Sequence, residues 1–271
     1  MTHFVVVPQW QGSPSARAML LVDGAEAIAG DLPRSATTRV EVPVEAGETL
    51  GSGIHRFSTL ARVATSIEQA LTDAPTGLTI VVGGDCGVAV ASIAHAASRH
   101  PALAVVWFDA HADLNSPDSS PSGAFAGMAL RAVCDGQPLP VSGTVPVERI
   151  VLAGAREFDD PEVEFIEATG LRTLGVDELA DPAALVDAVA ATGAEAVYLH
   201  VDLDVLDPAV ITGVAEPVPF GLALDELTAA IAAVRARVPL AGASISGFAP
   251  VGADAAVDDL GTILRVVGAL A

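Results

Sequence analysis

Along this chain, short runs of β-branched and aromatic residues alternate with alanine-rich stretches, and that alternation restricts the fold more than any other feature. The runs fall at residues 4–7, 39–42, 78–82, 103–108, 150–153, 171–176, 196–201 and 243–248. Such side chains suit a pleated, packed surface, whereas the stretches 60–71, 88–99, 182–191 and 224–237 repeat apolar residues at helical spacing. Strands joined through helices lie side by side in the same direction, so the pattern predicts an α/β fold with a mainly parallel sheet of about eight strands. Leu224-Asp225-Glu226-Leu227 marks one helix start, because acidic residues are favoured at the positive end of the helix dipole.

With 271 residues, 51% of them hydrophobic, the chain can bury a large core. No long polar or proline-rich stretch divides it and no internal repeat is visible, so a single domain over residues 1–271 is expected. The net charge of -21 argues against nucleic-acid or anionic-membrane partners; it fits a cationic small substrate, bound metal ions or simple solubility. The first eight residues carry no cationic leader or small-residue cleavage site, and no apolar run approaches membrane-spanning length, so a cytoplasmic protein is expected. Two cysteines, Cys86 and Cys134, make no disulfide framework; each reads as a free thiol, a core residue or a ligand.

The run 103–108 closes on Asp109-Ala110-His111-Ala112-Asp113-Leu114-Asn115. In extended backbone every second side chain shares a face, so Asp109, His111 and Asp113 are aimed at one place. The run 196–201 leads likewise into Asp202-Leu203-Asp204 and then Asp207-Pro208. Parallel sheets gather their sites at the carboxyl ends of strands, and carboxylates crowded there repel one another unless a cation lies between them. A metal pair meets that need; a merely structural acidic rim is the plainer alternative.

Together with Gly83-Gly84-Asp85-Cys86-Gly87 after the third run, these segments resemble the signatures of the ureohydrolases, the binuclear manganese enzymes that include arginases and agmatinases. The resemblance covers almost the whole chain and implies a three-layer, arginase-like sandwich. It further implies that Asp109 and Asp202 bridge two Mn(II) ions, that His111 and Asp204 complete one site, and that Asp113 and Cys86 stand at the other. Such an ion pair generates a hydroxide nucleophile from water near neutral pH. Asn115, Ser120 and Ser122 keep the spacing with which arginases hold an α-carboxylate, while Asp159 and Glu162 fall where acidic residues meet the α-amino group. Each has a plain alternative as a loop residue or helix cap. Family members are commonly trimers or hexamers, so a homo-oligomer is expected.

Three positions depart from the family. Cys86 replaces a histidine ligand, and a thiolate is softer and must lose a proton to bind, so one Mn(II) is expected to be weakly held. Ala126 stands where the family has a histidine that protonates the leaving amine, and Gly247 where it has a glutamate that pairs with the guanidinium. Glu216, in Ala215-Glu216-Pro217, is a candidate replacement for the latter, and Asp113 and Glu216 are the candidate catalytic residues. An N-hydroxyl lowers guanidine basicity, so these losses point to Nω-hydroxy-L-arginine, cleaved to hydroxyurea and L-ornithine, as in the hydroxyarginine-hydrolysing members of the family in D-cycloserine biosynthesis. Arginine, another guanidino acid such as guanidinobutyrate, or a degenerate binding or assembly subunit remain the alternatives.

Overall fold

A computed structural model describes residues 2–271, the side chain of Ala253 excepted; of the amino-terminal segment read above, Met1 lies outside the described residues. The elements run β1 (His3–Val7), α1 (Leu20–Gly30), β2 (Thr37–Arg39), α2 (Phe57–Asp73), β3 (Thr79–Gly83), α3 (Gly87–Arg99), β4 (Leu103–Phe108), α4 (Ala129–Asp135) and β5 (Ile150–Ala153). They continue with α5 (Asp160–Thr169), β6 (Arg172–Leu174), α6 (Val176–Leu179), α7 (Pro182–Ala190), β7 (Ala196–Asp202), α8 (Leu224–Arg235), β8 (Leu240–Ser246) and α9 (Ala253–Leu270). One eight-stranded sheet has the order β2-β1-β3-β8-β7-β4-β5-β6, and each of its pairings is parallel.

Both faces of the sheet are covered, which explains why its central strands read as unbroken apolar runs and not as alternating ones. On one face Val6, Val82, Val106 and Val201 pack with Ile28 of α1, Leu185 of α7, Ile231 of α8 and Ile263 of α9. On the other, Val5, Val81 and Trp107 pack with Ile67 of α2, Ile93 of α3 and Leu130 of α4. The architecture is therefore the predicted three-layer α/β sandwich.

Three strands differ from the sequence reading by more than one residue at an end: β6 covers Arg172–Leu174 and not 171–176, because Val176 already opens α6, and β2 and β8 differ more. The edge strand β2 covers Thr37–Arg39 and not 39–42: Val40 still donates to Val6 O, but Pro43 then ends the segment's capacity to donate to a ladder. The last strand covers Leu240–Ser246 and not 243–248. Its early residues, Leu240-Ala241-Gly242, carry little β-branched signal, and it stops at Gly247, whose φ of 88° no extended strand accommodates. No helix among the described residues is long and apolar enough to cross a membrane.

Candidate functional site

The sheet order brings the chemically distinctive segments together. β3, β8, β7 and β4 are consecutive neighbours, so their carboxyl ends deliver Cys86, Gly247, Asp202 and Asp109 side by side although 161 residues separate the first position from Gly247. A cleft of about 250 Å³ opens at this edge. All the predicted ligand positions, Cys86, Asp109, His111, Asp113, Asp202 and Asp204, line it. Asn115, Ser120, Ser122, Asp159, Glu162 and Glu216 line it as well.

Side-chain atoms converge there in two groups, within each of which all ligand atoms lie within 4.8 Å of one another: Asp109, His111 and Asp204, and Cys86, Asp109, His200 and Asp202. Asp109 belongs to both. Its Oδ1 accepts from His111 N at 2.7 Å and its Oδ2 from Trp107 Nε1 at 3.1 Å, so the carboxylate is held at both oxygens. His111 Nδ1 lies 3.0 Å from Asp204 Oδ2 and 3.4 Å from Asp109 Oδ1. Asp204 Oδ1 accepts from Ala110 N at 3.0 Å, tying the β7 loop to the β4 loop. The Cys86 thiol does face the cluster: Sγ lies 2.9 Å from Asp202 Oδ2 and 3.7 Å from Asp109 Oδ2. Asp113 stands outside both groups; it adopts a left-handed φ of 54°, is buried, and leaves Oδ2 without a hydrogen-bond partner.

Burial makes this arrangement electrostatically unfavourable when only protein groups are present. Desolvation, reinforced by Asp204, pushes Asp202 up to about 7, and desolvation with Asp109 pushes Asp204 up to about 6. Asp109 and Asp113 are raised by the same two causes. The Cys86 thiol is raised by burial and by Asp202, Asp113 and Asp109, so it stays protonated. Burial disfavours a charge on His111, but hydrogen bonds to Asp109 and Asp204 outweigh it and hold the ring cationic. One imidazolium thus faces several carboxyls. A divalent cation would relieve the repulsion, and the oxygen, imidazole and thiol donors present fit one.

Residues 27–257 match the arginase family. The chain belongs to that family. It is 33% identical over 159 residues to an arginase of Staphylococcus aureus (strain COL), a match covering 54% of this chain and 52% of that protein. It is 30% identical over 205 residues to the N(omega)-hydroxy-L-arginine amidinohydrolase of Streptomyces lavendulae, 74% of this chain and 73% of the relative. By sequence the chain thus spans about half the length of the first of these relatives. An Entamoeba histolytica arginase, solved in complex with L-ornithine, superposes with a TM-score of 0.86 over 99% of this chain and 97% of its own, at 20% identity, which is a likeness of fold.

Within this arginase-family fold the outer cleft is organised by local hydrogen bonds. Asn115 donates to Asp159 Oδ2 at 2.8 Å and accepts from Ser119 Oγ at 2.9 Å. Ser120 Oγ accepts from Gly123 N and Ser122 Oγ from Ala124 N, which leaves both hydroxyl protons free to donate to an anion. Asp159 is the N-cap residue of α5. Glu162 has both oxygens engaged by backbone, Oε1 by Leu114 N and Oε2 by Asp159 N, each at 2.9 Å, so it braces the two loops against each other. Half-buried Glu216 is raised by desolvation.

Three participants escaped the sequence reading of this family member. Asp85, pushed up to about 6 by burial, accepts from Gln9, Gly12 and Gly87 and so anchors the loop that carries Cys86. Glu157 lines the cleft beside His111. His200 lies inside a run read only as a strand; the available signal was its position two residues before Asp202, on the same strand face.

Gly247 is more than an absent glutamate. A Cβ there would meet Asp202 Oδ1 at 2.1 Å, and its φ is 88°. Gly247→Glu is therefore expected not to restore a guanidinium partner but to displace Asp202, costing about 1–3 kcal/mol in backbone strain alone. Thermal unfolding and metal stoichiometry of the variant check this; a stable variant that retains its ions and gains arginine hydrolysis would contradict it.

Proposed function

We propose that this chain, as one domain and in a homo-oligomer, is a binuclear-metal amidinohydrolase that hydrolyses the guanidino C–N bond of Nω-hydroxy-L-arginine to hydroxyurea and L-ornithine. The observation that carries the substrate is Gly247: at the family's guanidinium-pairing position a side chain is excluded by Asp202, so a strongly cationic guanidinium lacks its partner while a less basic hydroxyguanidine does not need it. The 30% identity to a hydroxyarginine amidinohydrolase supports the same class.

Asp109, His111, Asp202 and Asp204, with Cys86 and Asp113, would hold the ions; hard oxygen and imidazole donors suit Mn(II) on the His111 side. Ions bound there supply Lewis-acid chemistry, acidifying water and polarising the guanidino group. Ser120 and Ser122 offer free hydroxyl protons to an α-carboxylate, and Asp159, positioned by Asn115 and braced through Glu162, faces an α-ammonium. An agmatine-like substrate would leave these donors unmatched.

Hydrolysis also needs a group that takes the proton of the attacking water and one that hands a proton to the departing δ-amine. Ala126 cannot do this. Asp113 has a buried Oδ2 with no protein partner, and Glu216, outside the ligand groups, is raised by burial and so carries a proton more readily near neutral pH than an exposed carboxylate does; these are the two candidates for moving protons.

The Mn(II)-loaded protein is expected to release ornithine from Nω-hydroxy-L-arginine with kcat/KM at least about 10²-fold above L-arginine, roughly 2.7 kcal/mol of transition-state preference. Agmatine and guanidinobutyrate, assayed by their own products, should be poorer still. Preference for another guanidino compound would keep the family chemistry and overturn the substrate. Inactivity on all of them with ions bound would favour a binding or assembly subunit, a reading the losses at positions 126 and 247 also support.

A further inference from the structure

We propose that His200 supplies the imidazole that this chain lacks at position 86, forming with Cys86, Asp109 and Asp202 a nitrogen, sulfur and oxygen site that selects a softer divalent ion, such as Zn(II) or Co(II), over Mn(II). The inference rests on reading the acidic rim as a metal centre.

His200 and Asp202 project from the same face of β7, one pleat apart. The ring is fully buried, and its Nε2 has no hydrogen-bond partner. A buried polar nitrogen left unpaired costs about 1–3 kcal/mol, and His200 contributes one ring nitrogen to four ligand atoms that lie within 4.8 Å of one another, so an ion held by this set would pair with the ring.

The other ring nitrogen is held. Nδ1 lies 2.8 Å from Ser244 Oγ, directly across the ladder between β7 and β8. An Nδ1–H that donates to this hydroxyl leaves Nε2 as the lone pair, the state in which a histidine binds metal, with its second nitrogen anchored by a neighbour. Trp107 packs against the ring at 3.8 Å between centroids and is itself fixed by Asp109 Oδ2, so the imidazole cannot swing away. Ser246 Oγ donates to Asp202 Oδ2 at 3.0 Å and sets that carboxylate. All four donor side chains are buried.

The two halves of the rim consequently differ in kind. Asp109, His111 and Asp204 form an oxygen-rich set with one imidazole, suited to Mn(II). Cys86, Asp109, His200 and Asp202 combine thiol, imidazole and two carboxylates, a set that favours ions higher in the Irving–Williams order.

Metal-free protein titrated with Co(II) tests this through the thiolate-to-cobalt charge-transfer band in the near ultraviolet, which reports an ion on a thiolate, Cys86 being told from Cys134 by the Cys86→Ser variant. The band should appear, should be erased by stoichiometric Zn(II) but not by equal Mn(II), and should be lost in Cys86→Ser. His200→Asn should weaken Co(II) at the banded site at least about 100-fold. Ser244→Ala, which removes only the anchor of Nδ1, should weaken it about 10–100-fold and serves as the decisive variant if His200→Asn does not fold, as circular dichroism of the metal-free protein will show. An unchanged band and affinity in both folded variants would overturn the proposal, as would Co(II) binding without any thiolate band while Mn(II)-dependent hydrolysis persists. A protein that binds no divalent ion would overturn the metal centre along with it.

Discussion

Asp109→Asn is expected to abolish tight binding of both ions and to lower turnover by about 10³-fold or more, roughly 4 kcal/mol at 1.4 kcal/mol per decade. Asp109 is the one residue shared by the two ligand groups, and both of its oxygens are held by Trp107 and His111. An asparagine keeps the shape but removes the charge, and its amide nitrogen would face a donor where the carboxylate now accepts. The variant should nevertheless fold. Removing one buried carboxylate relieves the repulsion that raises Asp204 and Asp113, so the metal-free variant should melt no lower than the parent at pH 8 and should lose its response to added metal. Elemental analysis and unfolding curves with and without Mn(II) check both halves. Full metal retention would remove Asp109 from the bridging role.

The second large effect is a reversal of the pH dependence of stability when metal is added. In metal-free protein Asp85, Asp204 and Asp202 titrate at about 6, 6 and 7 when folded against 3.8 when unfolded. The folded chain therefore holds more protons than the unfolded chain across about pH 4 to 7, and stability falls as pH rises through that window. His111 acts in the same direction at higher pH: its folded pKa lies above the 6.5 of the unfolded ring, so its contribution is complete below 6.5 and is lost as pH rises towards the folded value. Tm in chelator should thus decline steadily from pH 5 to 8. Divalent ions bind the deprotonated ligands and should invert the slope, because protons compete with metal at low pH. At a thousandfold excess over Kd the gain is about 4 kcal/mol, which at roughly 2–4 °C per kcal/mol corresponds to about 10 °C in Tm. Parallel curves with and without Mn(II) would show that the carboxylates are not gathered around a cation.

Much of this site is legible from residue order alone. The pairs Asp109, His111 after one apolar run and Asp202, Asp204 after another converge at neighbouring strand ends, because strand period and the carboxyl-end rule are local and general, whereas Asp113 lines the cleft but, turned by its left-handed φ of 54°, stands outside both ligand groups. Cys86 was placed by motif position, and its thiol lies in the cluster. What was hidden depends on long-range packing. His200 sits in a strand otherwise apolar, and only the pairing of β7 with β8 puts Ser244 beside it. The left-handed turn at Gly247 moves the end of β8 back to Ser246, and the resulting contact with Asp202 turns a missing side chain into an excluded one. Glu162 reads as a substrate ligand from the family resemblance; its oxygens accept from the Leu114 and Asp159 backbone, a pairing visible only once the loop after β4 meets the start of α5.

The most direct measurement is ornithine release from Nω-hydroxy-L-arginine by a single preparation, assayed as Mn(II)-loaded protein, after exhaustive chelation, and after Mn(II) is returned. Release that vanishes on chelation and recovers on reloading is the expected result. Release that persists in metal-free protein, or that never appears in protein shown to carry its ions, would contradict the assignment of this acidic rim as a metal-dependent amidinohydrolase centre.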